Sequence, residues 1–172
     1  RELGGVIWVA MANPEHSMYV PIIGGTTKSI APYTVPGGDY TTDSAYWTMR
    51  GVSALSGLDR EQYGKYVQEY FRQEEKRLME ELKIKEKEFI KASSKDAIAL
   101  ATDYSVEKMQ KAYEDATLLY KELNLFFFDM ACDHAYKEDY EVITPYVPSL
   151  LGEERKEEIY SELGIPLGDE EE

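Results

Sequence analysis

The stretch Gly5-Val6-Ile7-Trp8-Val9-Ala10-Met11-Ala12-Asn13-Pro14-Glu15-His16-Ser17-Met18-Tyr19-Val20-Pro21-Ile22-Ile23-Gly24-Gly25 decides how the rest of the chain is read. Val6, Trp8 and Ala10 fall on one face of an extended segment, and Ile7, Val9 and Met11 on the other. Both faces are apolar, which predicts a strand covered on both sides. Asn13-Pro14-Glu15-His16 is turn chemistry. Met18 to Ile23 reads as a second strand, ended by Gly24-Gly25. Two buried strands joined by a tight turn make a core hairpin. Its position directly behind Arg1 is the one expected of a segment from inside a larger protein.

Beyond the hairpin, Pro32, Pro36 and Gly37-Gly38 make a long helix improbable. From Asp43 the apolar period changes. Ala45, Trp47, Met49, Val52 and Leu55 predict a short helix stopping near Gly57. Asp59 then offers an N-cap with Gln62 three positions on, a variant of the capping box. The next break falls at Ser93-Ser94, so this second helix runs about 31 residues, or about 45 Å. Tyr63, Val67, Tyr70, Phe71, Leu78 and Leu82 mark its buried side. Ser93 or Ser94 caps a further helix, with Ile98, Ala101, Met109, Ala112, Ala116, Leu119 and Leu123 as its stripe. Ser105 is a candidate interruption. Two long helices with a short link predict antiparallel packing. Leu125-Phe126-Phe127-Phe128 is apolar on all sides and is expected deep in the core. Pro145 and Pro148 mark a loop, and Glu153 to Leu163 a short surface helix. The expected divisions are 1–57, late strands and first helix; 58–135, long helices packing on them; and 136–172, loop, short helix and acidic tail.

Composition narrows the function. The chain has 172 residues, 43% of them apolar, and fourteen tyrosines, enough for a real core. Its net charge of −14 argues against a nucleic-acid partner, because phosphate binding needs clustered Lys and Arg. The acidic segments Glu153 to Glu162 and Asp169 to Glu172 read as solubilising. Cys132 is the only cysteine, which excludes an internal disulfide framework and a cysteine-built zinc site. It fits a cytoplasmic setting. No apolar run approaches the roughly 20 residues needed to span a bilayer, so no membrane partner is expected.

Several constellations invite chemistry. Cys132 and His134 stand two apart, which on a helix separates them by about 200°, so a thiol–imidazole dyad is disfavoured. Asp129 and Asp133 share a helix face next to His134, but no His-x-x-x-His or Glu-x-x-His pattern supports a metal site. Gly24-Gly25-Thr26-Thr27-Lys28 lacks the spacing of a phosphate loop. Tyr46 and Trp47 are expected to pack a helix onto the sheet, or else to wall a pocket. Asn13 and His16, on a turn at a sheet end, are the candidate substrate-binding residues, with solvent exposure the plainer expectation for His16.

The segments Gly5-Val6-Ile7-Trp8-Val9-Ala10, Pro14 with Ser17, and Tyr19-Val20-Pro21 resemble the late core strands of cysteine dipeptidases related to dipeptidase D and secernin, and Ser44-Ala45-Tyr46-Trp47 with the apolar helix through Val52 and Leu55 is similar to the segment following those strands. The resemblance covers about residues 5 to 57. It implies an α+β fold: the C-terminal part of the four-layer αββα core of an N-terminal-nucleophile hydrolase, with antiparallel strands, followed here by a long helical hairpin.

The resemblance further implies hydrolysis of dipeptides or small amides by a cysteine freed at a chain start, with its own α-amine as base and no metal or organic cofactor. Arg1 cannot be that nucleophile, and Cys132 lies too far along the chain. The catalytic cysteine is therefore expected upstream of Arg1, and no catalytic residue is carried onto this chain. The expected partners are a small peptide, the missing N-terminal part of the same protein, and further copies of the chain through exposed strand edges. The rival reading is a non-catalytic helical interaction or scaffold module.

Overall fold

The computed structural model of the chain describes residues 4–136 and 144–166, the side chains of 133–136 excepted. Strands β1 (Val6–Val9) and β2 (Val20–Ile23) pair antiparallel, with Val6 opposite Ile23 and Val9 opposite Val20. Helix α1 (Ala45–Ser56) follows, then α2 (Lys65–Lys91), the 43-residue α3 (Ser94–Tyr136) and the short α4 (Glu153–Glu162).

The helix boundaries follow from capping. Ser44 stands at the N-cap of α1, where its carbonyl accepts from Thr48 N at 3.0 Å and its hydroxyl makes no capping bond, and Gly57 is the C-cap. The Asp59 carboxylate accepts from Glu61 N and Gln62 N, each at 3.0 Å, and starts a π-helical turn, Arg60–Gly64, that runs into α2. Between α2 and α3, the Ser93 hydroxyl donates to Asp96 at 2.6 Å and accepts from its backbone N–H at 3.3 Å.

Helices α2 and α3 pack antiparallel. Tyr63 meets Phe127 with ring centroids 4.8 Å apart, and Phe89 meets Tyr104 at 6.2 Å near the other end. Two buried polar groups between these ends are paired. Tyr70 OH donates to Asp115 at 2.7 Å, and Lys108 Nζ lies 2.8 Å from Glu81. Removing one partner of such a pair would leave a costly buried charge. The main core gathers Met18 and Val20 from the hairpin, Val52 from α1, Val67 and Leu78 from α2, Leu119 and Leu123 from α3, and Tyr146. It thus draws on all three of the expected divisions.

Four details differ from the expectations. The strand connection is not tight: residues 10–19 form a long loop holding a 3-10 turn, Pro14–His16. Cover of the sheet is uneven: Val20, Pro21 and Ile23 of β2 are buried and fall on both faces, whereas Ile7 of β1 is 67% exposed. Ser105 does not interrupt α3; it is buried and accepts from Ile23 N at 3.0 Å. The Leu125–Phe128 run is not deep. Phe126 and Phe127 pack on the core, but Leu125 and Phe128 are 51% and 64% exposed, because only one face of α3 finds a neighbour there.

The hydrogen-bond phase of the hairpin sets its two edges apart. Gly24 N donates to Gly5 O, so in the alternating pattern Val6–Ile23 and Trp8–Pro21 are the non-bonded pairs. On β2 the missing N–H of Pro21 and the Ser105-bound N–H of Ile23 therefore face outward, and that edge is closed. On β1 the backbone groups of Val6 and Trp8 face outward, and no described strand pairs with them.

Helix α1 lies close against α3. A Cβ on Gly51 would stand 2.4 Å from the Tyr120 ring, which is itself held by a 3.2 Å contact between the hydroxyls of Tyr120 and Tyr40. Gly51→Ala should therefore destabilise the chain by about 1–3 kcal/mol in urea unfolding, the overpacking cost outweighing the helix-propensity gain. Adding Tyr120→Leu should recover part of that loss. A Gly51→Ala protein as stable as the parent would show that this interface is looser than described.

Candidate functional site

The polar residues of the 10–19 loop converge on the start of α2. Ala12 opens the turn at φ 62, a conformation that costs a non-glycine residue about 1 kcal/mol or more. Asn13 caps the 3-10 turn: its side-chain oxygen accepts from Glu15 N at 3.2 Å, and its carbonyl from His16 N at 3.1 Å. From α1, the Ser53 hydroxyl is 3.2 Å from His16 O and 3.4 Å from Asn13 O.

His16 is fully buried, at 0% exposure. Gly64 makes room for it, since a Cβ there would lie 2.6 Å from His16 Nε2. Gln68 Nε2 donates to Glu15 at 3.1 Å, Gln68 Oε1 accepts from Arg72 at 3.3 Å, and Arg60 pairs with the other Glu15 oxygen at 2.9 Å. Those neighbours fix the Gln68 amide with its NH2 toward His16, 3.3 Å from Nε2. Nε2 is therefore the acceptor and Nδ1 carries the proton. Nδ1 itself is buried with no hydrogen-bond partner.

Burial holds the His16 pKa below its ordinary value; nearby Glu15 opposes this shift and Arg60 adds to it. The imidazole is thus neutral near pH 7. Its one lone pair is engaged by Gln68 and closed off from solvent. A general base needs a lone pair within hydrogen-bond reach of the substrate proton, so in this conformation His16 positions the loop and does not transfer protons. Of the two candidate substrate-binding residues, Asn13 is at the surface and His16 is behind it. The expectation that His16 is solvent-exposed is corrected, because the loop folds its ring inward over Gly64.

The other sequence candidates are placed as follows. Cys132 is exposed on α3. The side chains of Asp133 and His134 lie outside the described residues, so the dyad and the acidic cluster with Asp129 are not drawn. Among the described residues no group of three or more His, Cys, Asp or Glu could hold a metal ion. Thr26 and Thr27 tie the turn after β2 to α3: Thr26 Oγ1 lies 3.0 Å from Ser105 Oγ, and Thr27 N donates to Thr102 Oγ1 at 3.1 Å. Tyr46 and Trp47 meet each other and Tyr40 of the preceding loop. No described helix is long and apolar enough to cross a membrane.

The sequence reading missed Gln68, Glu15, Arg60 and Ser53 as neighbours of His16. Only Gln68 carried a signal, as a polar residue next to the buried Val67 on the core side of α2.

Part of the chain is similar to curated dipeptidases. Over 66 residues, 38% of this chain, it is 29% identical to the probable dipeptidase B of Streptococcus pyogenes serotype M1, and the match covers 13% of that protein. Over 64 residues, 37% of this chain, it is 27% identical to the probable dipeptidase B of a serotype M3 strain of the same species, again over 13% of that protein. The match thus spans only about an eighth of the length of these relatives. No family model and no solved structure matches the chain.

His16→Gln should destabilise the chain by about 1–3 kcal/mol at pH 7.5, through lost packing and a weakened Gln68 contact. As pH falls below 6.5, the ordinary histidine value, the unfolded chain takes up a proton that native His16 refuses. The parent therefore loses stability there faster than the variant, and the gap between them narrows. Urea midpoints from pH 7.5 to 5 test this; a constant gap would mean that His16 titrates as it does in the unfolded chain.

Proposed function

We propose that this chain is the C-terminal portion of a peptidase that hydrolyses dipeptides or small amides. Its nucleophile would be a terminal cysteine in polypeptide outside these residues. The observation that carries the reading is the partial likeness to dipeptidase B. In the proposed reaction the cysteine sulfur attacks the amide carbonyl while its free α-amine takes the thiol proton and passes it to the nitrogen that leaves as the C–N bond breaks; water then hydrolyses the thioester, releasing the acid and restoring the thiol. Cys132 does not suit that role: it sits within a long helix, exposed, with no described base beside it.

In this reading β1 and β2 are late strands of an αββα N-terminal-nucleophile core. The open β1 edge, with exposed Ile7, supports a wider sheet completed by the remainder of the same protein. The 10–19 loop, with Asn13 at the surface, is the proposed substrate-facing element. A cytoplasmic setting accords with the single thiol. A second reading, a helical interaction module without chemistry, is favoured by the exposed apolar side chains Leu118, Leu125 and Phe128 on α3.

Two outcomes follow from the leading reading. The purified 172-residue chain should not cleave mixed dipeptides, and Cys132→Ala should change nothing; robust turnover abolished by that substitution would overturn the assignment of the nucleophile. The isolated chain should also self-associate through the β1 edge, seen in light scattering as mass rising with concentration and reduced by Ile7→Lys. A clean monomer at high concentration would count against an open sheet.

A further inference from the structure

Arg50 stands apart from the other described arginines in this acidic chain. Arg60, Arg77 and Arg155 each pair with at least one carboxylate. Arg72 bonds the Gln68 amide that belongs to the His16 cluster. Arg50 has no carboxylate partner among the described residues. It is held instead by aromatic groups: its guanidinium carbon lies 5.8 Å from the Tyr46 ring centroid and 5.4 Å from that of Trp47, and Nη1 donates to Tyr46 OH at 2.6 Å.

The surroundings keep this platform rigid. Trp47 packs edge-on against Tyr46 and Tyr40, with centroids 5.3 and 5.7 Å away. The loop carrying Tyr40 is fastened to α3 twice, by the Tyr40–Tyr120 hydroxyl contact of 3.2 Å and by Tyr113 OH donating to Thr42 O at 2.9 Å. Arg50 and Tyr40 are nevertheless exposed.

A guanidinium has five N–H donors in one plane. Tyr46 and Trp47 flank the group and Tyr46 OH takes one donor, and no other hydrogen bond or ion pair of Arg50 is formed among the described residues. That is the arrangement a carboxylate accepts bidentately. The rotamer entropy of a long side chain, normally lost on binding, is already partly lost here. The net charge of −14 disfavours a dianion and tolerates a zwitterion, whose ammonium end is drawn to acidic surroundings.

We propose that Arg50, held beside Tyr46 and Trp47, is a binding site for the C-terminal carboxylate of a small peptide, whose last side chain rests against the Tyr40–Trp47 rim. This deepens the peptidase reading and rests on it for the identity of the ligand.

NMR titration of the ¹⁵N-labelled 172-residue chain tests it, following the Arg50 Nε–H and Trp47 indole signals. Ala-Phe should shift both saturably. Ala-Phe amide, lacking the carboxylate, should bind about tenfold or more weakly, as a lost charge-assisted pair requires. Acetate should also bind weakly, because it lacks the side chain. Arg50→Gln should abolish the shifts with thermal unfolding unchanged, and Arg50→Lys should bind at an intermediate level. The proposal is overturned by equal binding of acid and amide, by acetate as tight as the dipeptide, by binding that survives Arg50→Gln, or by no shift at about 10 mM Ala-Phe. Dipeptide binding that ignores Arg50 would leave the peptidase reading standing and place its ligand elsewhere. Absence of any peptide cleavage by the protein joined to its upstream polypeptide would remove that reading itself.

Discussion

A pair of four-residue strands is not stable alone in water, because it neither buries enough apolar surface nor satisfies both edges. Here the pair depends on α3. Ser105 takes the outward N–H of Ile23, and Thr102 takes that of Thr27 just beyond the strand. Without those hydroxyls, a buried backbone donor would be left unpaired at a cost of about 1–3 kcal/mol. A serine inside a helix usually weakens it slightly. At Ser105 the hydroxyl is spent on the sheet, and the helix continues through it. The same helix presents Leu119 and Leu123 to the core and the Tyr120 ring to Gly51 of α1. Hairpin, α1 and α2 are thus arranged around one 43-residue element.

What was legible in the sequence was mostly local. The Asp59 cap and the Ser93 box use side chains within three residues of the backbone groups they satisfy, and Gly57 closes α1 with its own N–H on Ser53 O four residues back, so composition and spacing reveal them. The buried stripes of α2 and α3 were legible for the same reason. What failed depended on distant partners. The Leu125–Phe128 run gives no hint of which of its faces will meet Tyr63 and Tyr146. Ser105 looked like a break because its acceptor role exists only once β2 lies across it.

The candidate site divides along the same line. Asn13 as a turn cap was legible, since its acceptor group serves Glu15 two residues on. The burial of His16 was not, because it depends on an absent Cβ at Gly64 and on an amide at Gln68, far along the chain. The resulting cluster is closed: apart from His16 Nδ1 its polar groups bond one another, and its imidazole is kept neutral by desolvation. Arg50 is the reverse case. It is a permanent charge at the surface, flanked by two aromatic rings and without a carboxylate partner among the described residues. Burial of the first and exposure of the second assign them different work, positioning a loop in one case and meeting a ligand in the other.

The two sheet edges carry the last step of the argument. Proteins protect a strand edge with proline, charge, a bulge or a covering element. Edge β2 has two of these, Pro21 at an outward position and the flank of α3 through Ser105. Edge β1 is Val6-Ile7-Trp8-Val9, with no charge, no proline and no described neighbour. Its outward N–H and C=O groups at Val6 and Trp8 are spaced to receive another strand. Among the described residues one edge is guarded twice and the other is not, which is the asymmetry that the proposed wider sheet requires. That asymmetry is independent of any likeness to dipeptidases, and it favours the reading in which this hairpin is one margin of a wider sheet.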